Sequence, residues 1–287
     1  MPAPAGHARR RRSVNLRKIL IYTVLSLFCL STVLAFAWVF MISLKTTQEF
    51  LSTSPWALPQ KPHFDNYVIA WNKAKIGSFF LNSIIAAGLG ASGSVLVSAL
   101  AAYVIARINF KFNNLLANYF IVGYMVPIML TVIPLYAIMV RLGMSAGLLP
   151  LTLLYIASGV PFNTFVLRGF FETLPGELEE AATVDGASPF RAFWQIMLPL
   201  SWAGLVSTFL INFMSLWNEF FLALIFLNKE TATMPLGLFY MAQRAEYTAQ
   251  WSDLFAGILM ATVPILIVFA LLQDQVTRGM TAGAIKG

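Results

Sequence analysis

Long apolar runs alternate with polar stretches along the chain. Six of them are long enough to cross a membrane as helices: 19–44, 79–106, 115–140, 148–170, 201–227 and 254–273. A helix needs about 20 apolar residues to cross a hydrocarbon core about 30 Å thick, so each run predicts one span. Ala35-Phe36-Ala37 matches a signal-peptidase pattern, but the first run continues through Leu44, which predicts an uncleaved anchor. Pro127, Pro134, Pro161 and Pro264 lie within runs and predict kinks. The stretch 45–78 carries Pro55, Pro59 and Pro62 with Trp56, Phe64, Tyr67 and Trp71, aromatics suited to a membrane interface. A plain connector and a docking surface both fit its length.

The polar stretch between the fourth and fifth runs reads FETLPGELEEAATVDGASPFRAFWQIMLP, from Phe171 to Pro199. Thr173 followed by Pro175 predicts a helix start, with Glu177, Glu179 and Glu180 at the positive end of its dipole and an end near Thr183. Gly186 supplies a turn. Ser188-Pro189 repeats the start signal for a second helix, with Phe190, Phe193, Trp194 and Met197 on one face and Pro199 ending it. The predicted form is a helix-turn-helix elbow. An amphipathic helix lying on the bilayer would have a basic polar face, whereas this one is acidic, which points to a protein partner. Small Ala181 and Ala182 would allow that partner a close approach.

Composition narrows the class. The chain is 59% hydrophobic and 11% charged with a mean hydropathy of +0.75, against about 45–50% apolar and 25% charged for soluble domains, so an all-α membrane protein is expected. Of the 19 basic residues, Arg9, Arg10, Arg11, Arg12, Arg17 and Lys18 crowd the first 18 positions, a topology signal and not a nucleic-acid site. With the N-terminus inside, the inner segments hold 12 basic residues and the outer ones seven, so both termini are expected in the cytoplasm. Cys29 is the one cysteine and forms no disulfide framework.

Glu180-Ala181-Ala182, Gly186, Ile196 and Leu198-Pro199 fill, at matching spacing, the EAA motif of permease subunits in binding-protein-dependent ABC importers. Leu174-Pro175 ahead of Leu178-Glu179-Glu180, Asp185-Gly186-Ala187, Trp217-Asn218-Glu219-Phe220, Met234-Pro235-Leu236-Gly237 and the terminal Thr281–Gly287 extend the resemblance to carbohydrate-uptake permeases of the MalG-like kind. The resemblance implies six transmembrane helices in the type I ABC importer fold, in the plasma membrane of a bacterium or archaeon. It also implies a second, MalF-like permease subunit, a cytoplasmic ABC ATPase dimer that binds the ATP, an extracytoplasmic solute-binding protein and a sugar or oligosaccharide substrate. The elbow would be the coupling helix, with Glu179, Glu180, Ala181, Ala182, Asp185, Gly186 and Ala187 at the ATPase contact. The expected division is a basic tail (1–18), first transmembrane helix (19–44), outer loop (45–78), transmembrane domain (79–275) containing the coupling loop (171–200), and cytoplasmic C-terminal tail (276–287). Gly279–Gly287 matches a tail that lies against the ATPase in this family.

No G-x-x-x-x-G-K-[ST] sequence occurs, so no ATPase activity, catalytic residue or cofactor is expected in this chain. Gly88-Leu89-Gly90-Ala91-Ser92-Gly93 matches a dinucleotide fingerprint but lies in an apolar run, where close helix packing is the better reading. His7, His63 and Cys29 are too scattered for a metal site. Glu219 within the fifth run costs about 2.5–3.5 kcal/mol on insertion scales and needs an interior partner or a cavity. Trp217 and Asn218 beside it offer a stacking face and an amide, so solute contact and bundle fixing are both open; Asn212, Tyr124 and Tyr136 are further path candidates. A permease for a non-sugar solute is the alternative. A secondary transporter would need coupling-ion carboxylates or an inverted repeat, neither of which is visible.

Overall fold

The computed structural model describes residues 16–284, and every regular element among them is helical. Helix α1 (Leu16–Ser43) is apolar on all sides, exposed along most of its length, and packed on the final helix. Helices α2 (Thr47–Ser52) and α3 (Asp65–Asn72) fold the stretch after it into a cap. Asn66 Nδ2 donates to the carbonyls of Ser43 and Lys45, each at 2.8 Å, and the buried Lys45 ammonium donates to the Ser54 carbonyl at 3.2 Å.

Helix α4 (Ile76–Arg107) runs from this cap to the far end of the bundle. The third apolar run is not one helix but two, α5 (Asn113–Met125) and α6 (Ile128–Arg141), bent by 101°. Pro127 has no N–H for a continuing ladder and holds Val126 extended, at φ −78° and ψ 115°. Pro134 is accommodated inside α6.

Helix α7 (Leu148–Thr173) runs parallel to α4, and the two form the central pair. A Cβ at Gly90 would lie 2.8 Å from that of Tyr155, and one at Gly93 2.7 Å from Ile156 Cδ1. Those two glycines therefore set the close approach, while Gly88 faces open space. The elbow follows, with α8 (Glu177–Val184), α9 (Pro189–Ala192), a π turn (Phe193–Met197) and α10 (Leu198–Leu200). The chain bends by 75° into α11 (Trp202–Trp217).

The fifth run also divides: α11 stops at Trp217 and a short α12 (Phe221–Phe226) begins after Asn218–Phe220. Beyond it α13 (Met234–Thr248), which the apolar pattern leaves as a connector, packs beside α14 (Trp251–Ala284). The last helix extends past the predicted span into 276–284. Among the described residues, four helices are long and apolar enough to cross a membrane, or up to six if each bent pair counts as one span. Two apolar cores result: one around Phe79, Tyr155, Trp217 and Phe226, the other around Tyr103, Phe171, Phe193 and Met197 beneath the elbow.

Candidate functional site

The elbow is built on the ends of α4 and α7. Thr173 does not start its first helix, because the Thr173 hydroxyl is spent on the Phe170 carbonyl inside α7 and Leu174 is extended. Helix α8 begins after Gly176 instead, with Glu177, Glu179 and Glu180 in its first turn as expected. At its other end Gly186 adopts φ +78°. Gly186 N–H donates to Thr183 O at 3.0 Å and Ala187 N–H to Ala182 O at 2.9 Å. This paired closure of the last carbonyls requires a left-handed residue. Ser188 then caps the second helix, its Oγ accepting from Arg191 N–H at 3.3 Å, with Pro189 at the first position.

Two residues that the pattern of motifs does not single out fasten the elbow. Arg107, the last residue of α4, donates through Nη2 to the Leu174 carbonyl, and its Nε lies 3.5 Å from Glu179 Oε2. Both side chains are largely withdrawn from solvent, at 13% and 21% exposure. Tyr103, one turn earlier, donates to the Pro189 carbonyl at 3.3 Å and packs its ring on Phe171 and Phe193. The sequence signal for Arg107 is its place just past the apolar run 79–106, where it counts among the 12 inner basic residues.

The expected contact residues divide between the two faces of the elbow. Glu180, Ala181, Asp185 and Gly186 are exposed, Glu179 and Ala187 are half-buried, and Ala182 is turned into the fold. Ala182 thus serves the chain's own packing, and Ala181 is the alanine that stays exposed. The predicted single face of the second helix also splits: Phe193 and Met197 are buried, whereas Phe190 is 65% exposed. The π turn explains this, since Leu198 N–H reaches back to Phe193 O and shifts the register by one residue. It also gives Pro199 a place near the start of a fresh helical segment, so Pro199 does not end the helix. With Val184 87% exposed, the tip presents two large apolar side chains, Val184 and Phe190, among the acids Glu180 and Asp185.

Glu219 lies at the break between α11 and α12. Its carboxylate accepts from Leu222 N–H at 2.7 Å, Ala223 N–H at 3.1 Å and the Tyr155 hydroxyl at 2.7 Å. It caps α12 and ties it to α7, which satisfies a carboxylate placed in apolar surroundings. Trp217 is buried against Phe80 and Phe213, and exposed Asn218 donates to the Met214 carbonyl at 2.8 Å. Asn212 is buried near Gly159; Tyr124 is exposed beside Phe162, and Tyr136 lies against Phe226. The structure thus brings Glu219 to Tyr155 and does not gather the path candidates around one cavity. Among the described residues no group of His, Cys, Asp and Glu could hold a metal.

Residues 94–282 match the family described as "Binding-protein-dependent transport system inner membrane component". The diacetylchitobiose uptake system permease protein NgcG of Streptomyces coelicolor is 34% identical over 99% of this chain and 92% of its own length. The trehalose/maltose transport system permease protein MalG of Thermococcus litoralis is 33% identical over 96% and 99%. A solved bacterial ABC transporter that imports the acidic polysaccharide alginate has a similar fold, with a TM-score of 0.76 and 20% identity over 94% of this chain and 99% of that one.

Proposed function

The chain belongs to the family of binding-protein-dependent transport system inner membrane components, and on that footing we propose that it forms half of a sugar path driven by separate ATPase subunits. It is a multi-pass membrane protein and a transport subunit. The cargo is a sugar or oligosaccharide, in keeping with the diacetylchitobiose and trehalose/maltose systems of its relatives. A second permease subunit completes the path, a binding protein delivers solute from outside, and ATP is bound and hydrolysed on cytoplasmic partners. Both termini are cytoplasmic, consistent with the 12 inner against seven outer basic residues.

The observation that carries this reading is the elbow. Its base is clamped to α4 by Arg107 and Tyr103, while its tip offers Val184 and Phe190 beside exposed acids. A tip that moves with a partner's cleft transmits that motion to the spans only if its base does not yield, which is the rigid-body logic of ATP-driven opening. Sugar uptake into vesicles reconstituted with the partner subunits is expected to stop when the ATPase is hydrolysis-dead. Undiminished uptake under that condition overturns the proposal.

A further inference from the structure

Midway along α4 and α7, polar side chains from three helices meet in the apolar bundle. Helix α11 runs antiparallel to the α4–α7 pair, with Leu216 against Gly90 at one level and Gly204 against Phe170 at another. Between those levels an added Cβ at Gly159 of α7 would lie 2.4 Å from Ser94 Oγ of α4, 2.5 Å from Asn212 Nδ2 of α11 and 3.2 Å from Asn163 Nδ2 of α7. The glycine thus clears a space toward which a hydroxyl and two amides converge. Ser94 and Asn163 are fully buried, and Asn212 is 8% exposed.

Hydrogen-bonding capacity at this point exceeds what the neighbouring side chains supply. Asn163 Nδ2 donates to Ser94 Oγ at 2.9 Å, and Asn163 Oδ1 has no partner among the described residues. Asn212 Oδ1 has none either. Turning the Asn212 amide over would exchange a free oxygen for a free N–H2 and leave the deficit in place. The nearby hydroxyls are already committed: Ser98 Oγ donates to the Val160 carbonyl at 3.3 Å, and Thr208 Oγ1 to the Gly204 carbonyl at 2.8 Å. Buried amide oxygens in folded proteins are paired in the great majority, with protein groups or with ordered water, because leaving one bare forfeits its solvation.

We propose that Ser94, Asn163 and Asn212 form a binding site for one water molecule, which bridges α7 to α11. Its two O–H groups go to Asn163 Oδ1 and Asn212 Oδ1. One lone pair takes the proton of the Ser94 hydroxyl, which accepts from Asn163 and still has its own proton to give. Three bonds of this kind are the usual complement of a buried water. The site calls for a ligand that both donates and accepts; a monovalent cation would serve the oxygens and leave the hydroxyl proton facing it. Helix α7 leads into the elbow and α11 leads out of it, so the water closes within the bundle the loop that the elbow opens. A water bridge holds nearly as well as a direct hydrogen bond, and it tolerates small shifts of one helix against the other. The site does not depend on what the chain transports.

The test uses the assembled protein in lipid nanodiscs. A cryo-electron microscopy map fine enough to show waters elsewhere in the bundle is expected to show one density within about 2.5–3.0 Å of both the Asn163 and the Asn212 amides, with and without solute. Asn212→Leu, apolar and close in volume, is expected to remove that density and to lower the unfolding midpoint, because Asn163 Oδ1 then loses its partner. Combined with Asn163→Leu it is expected to lower the midpoint by less than the two single variants added together, since both act on one water. Wild-type midpoints are expected to be equal in sodium, potassium and choline chloride at one ionic strength. An empty site in such a map overturns the proposal, and the wild-type map decides this whether or not the variants assemble. A raised midpoint for Asn212→Leu also overturns it, because relief of an unpaired amide stabilises. So do strictly additive losses, a density that follows the solute, and a midpoint that follows the cation.

Discussion

Removing the Arg107 side chain is expected to loosen the elbow while leaving its helices intact. Its Nη2 donates to the Leu174 carbonyl, the point where the chain leaves α7 for the elbow, and its Nε stands 3.5 Å from Glu179. A hydrogen bond involving a charged group contributes about 1.5–3 kcal/mol. The 3.5 Å approach to Glu179 is longer than a hydrogen bond of good geometry, so the carbonyl contact carries most of the clamp. At about 1.4 kcal/mol per factor of ten, Arg107→Ala shifts the ratio of docked to undocked elbow by about ten- to a hundredfold. Hydrogen exchange of the complex in nanodiscs reads this directly, as a matching loss of protection at the amides of Glu180–Ala187 with α4 and α7 unchanged. Glu179→Gln, which keeps the carbonyl contact, is expected to change protection only a few-fold. The reasoning fails if Arg107→Ala leaves those amides within about twofold of wild type, or if Glu179→Gln loosens them as much as Arg107→Ala does.

Gly186→Val is expected to raise the ATP consumed per solute imported, since Gly186 holds φ +78° and a left-handed conformation costs a residue with a Cβ about 1–2 kcal/mol. Gly186→Asn should be milder because asparagine tolerates that conformation and nothing lies within 4 Å of an added Cβ; equal coupling in the Val variant and wild type would refute this. Tyr155→Phe removes the 2.7 Å bond to Glu219 and should lower the unfolding midpoint of the complex by an amount equivalent to about 1.5–3 kcal/mol, with the solute KM unchanged. A raised KM at full stability would instead make Glu219 a solute contact. Gly159→Ala places a Cβ 2.4 Å from Ser94 Oγ and 2.5 Å from Asn212 Nδ2, and should destabilise by about 1–3 kcal/mol in thermal unfolding of the assembled protein; an unchanged midpoint would show that the helices separate freely there.

The apolar runs were legible because hydrocarbon thickness imposes one length on every crossing helix, and α1, α4, α7 and α14 cover their runs. Hydropathy says nothing about where a backbone stops being helical while it stays apolar. At Val126-Pro127 the proline announced a kink but not its 101° size. At Asn218–Phe220 no proline intervenes, and the break depends on Glu219 taking two backbone donors of the following helix. Nor does the pattern reveal α13, although Pro235 near its start is a helix signal. In the elbow, Gly186 and Ser188-Pro189 were readable because their roles are local. Arg107 and Tyr103 were not, since their partners lie 67 and 86 residues along the chain.

The π turn at Phe193–Met197 carries a consequence of phase. It holds one residue more than an α-helical turn would, and each residue of an α-helix advances the azimuth by about 100°. Deleting one residue there and closing the ladder to ordinary α-helix would swing everything before it, Val184 and Phe190 included, around the axis of the segment that leads into α11. The chemistry of the tip would be untouched and its heading altered by more than a right angle. Chain length over these five residues is thus itself a setting, and among homologous permeases a one-residue gap here would mean a partner approached from a different side.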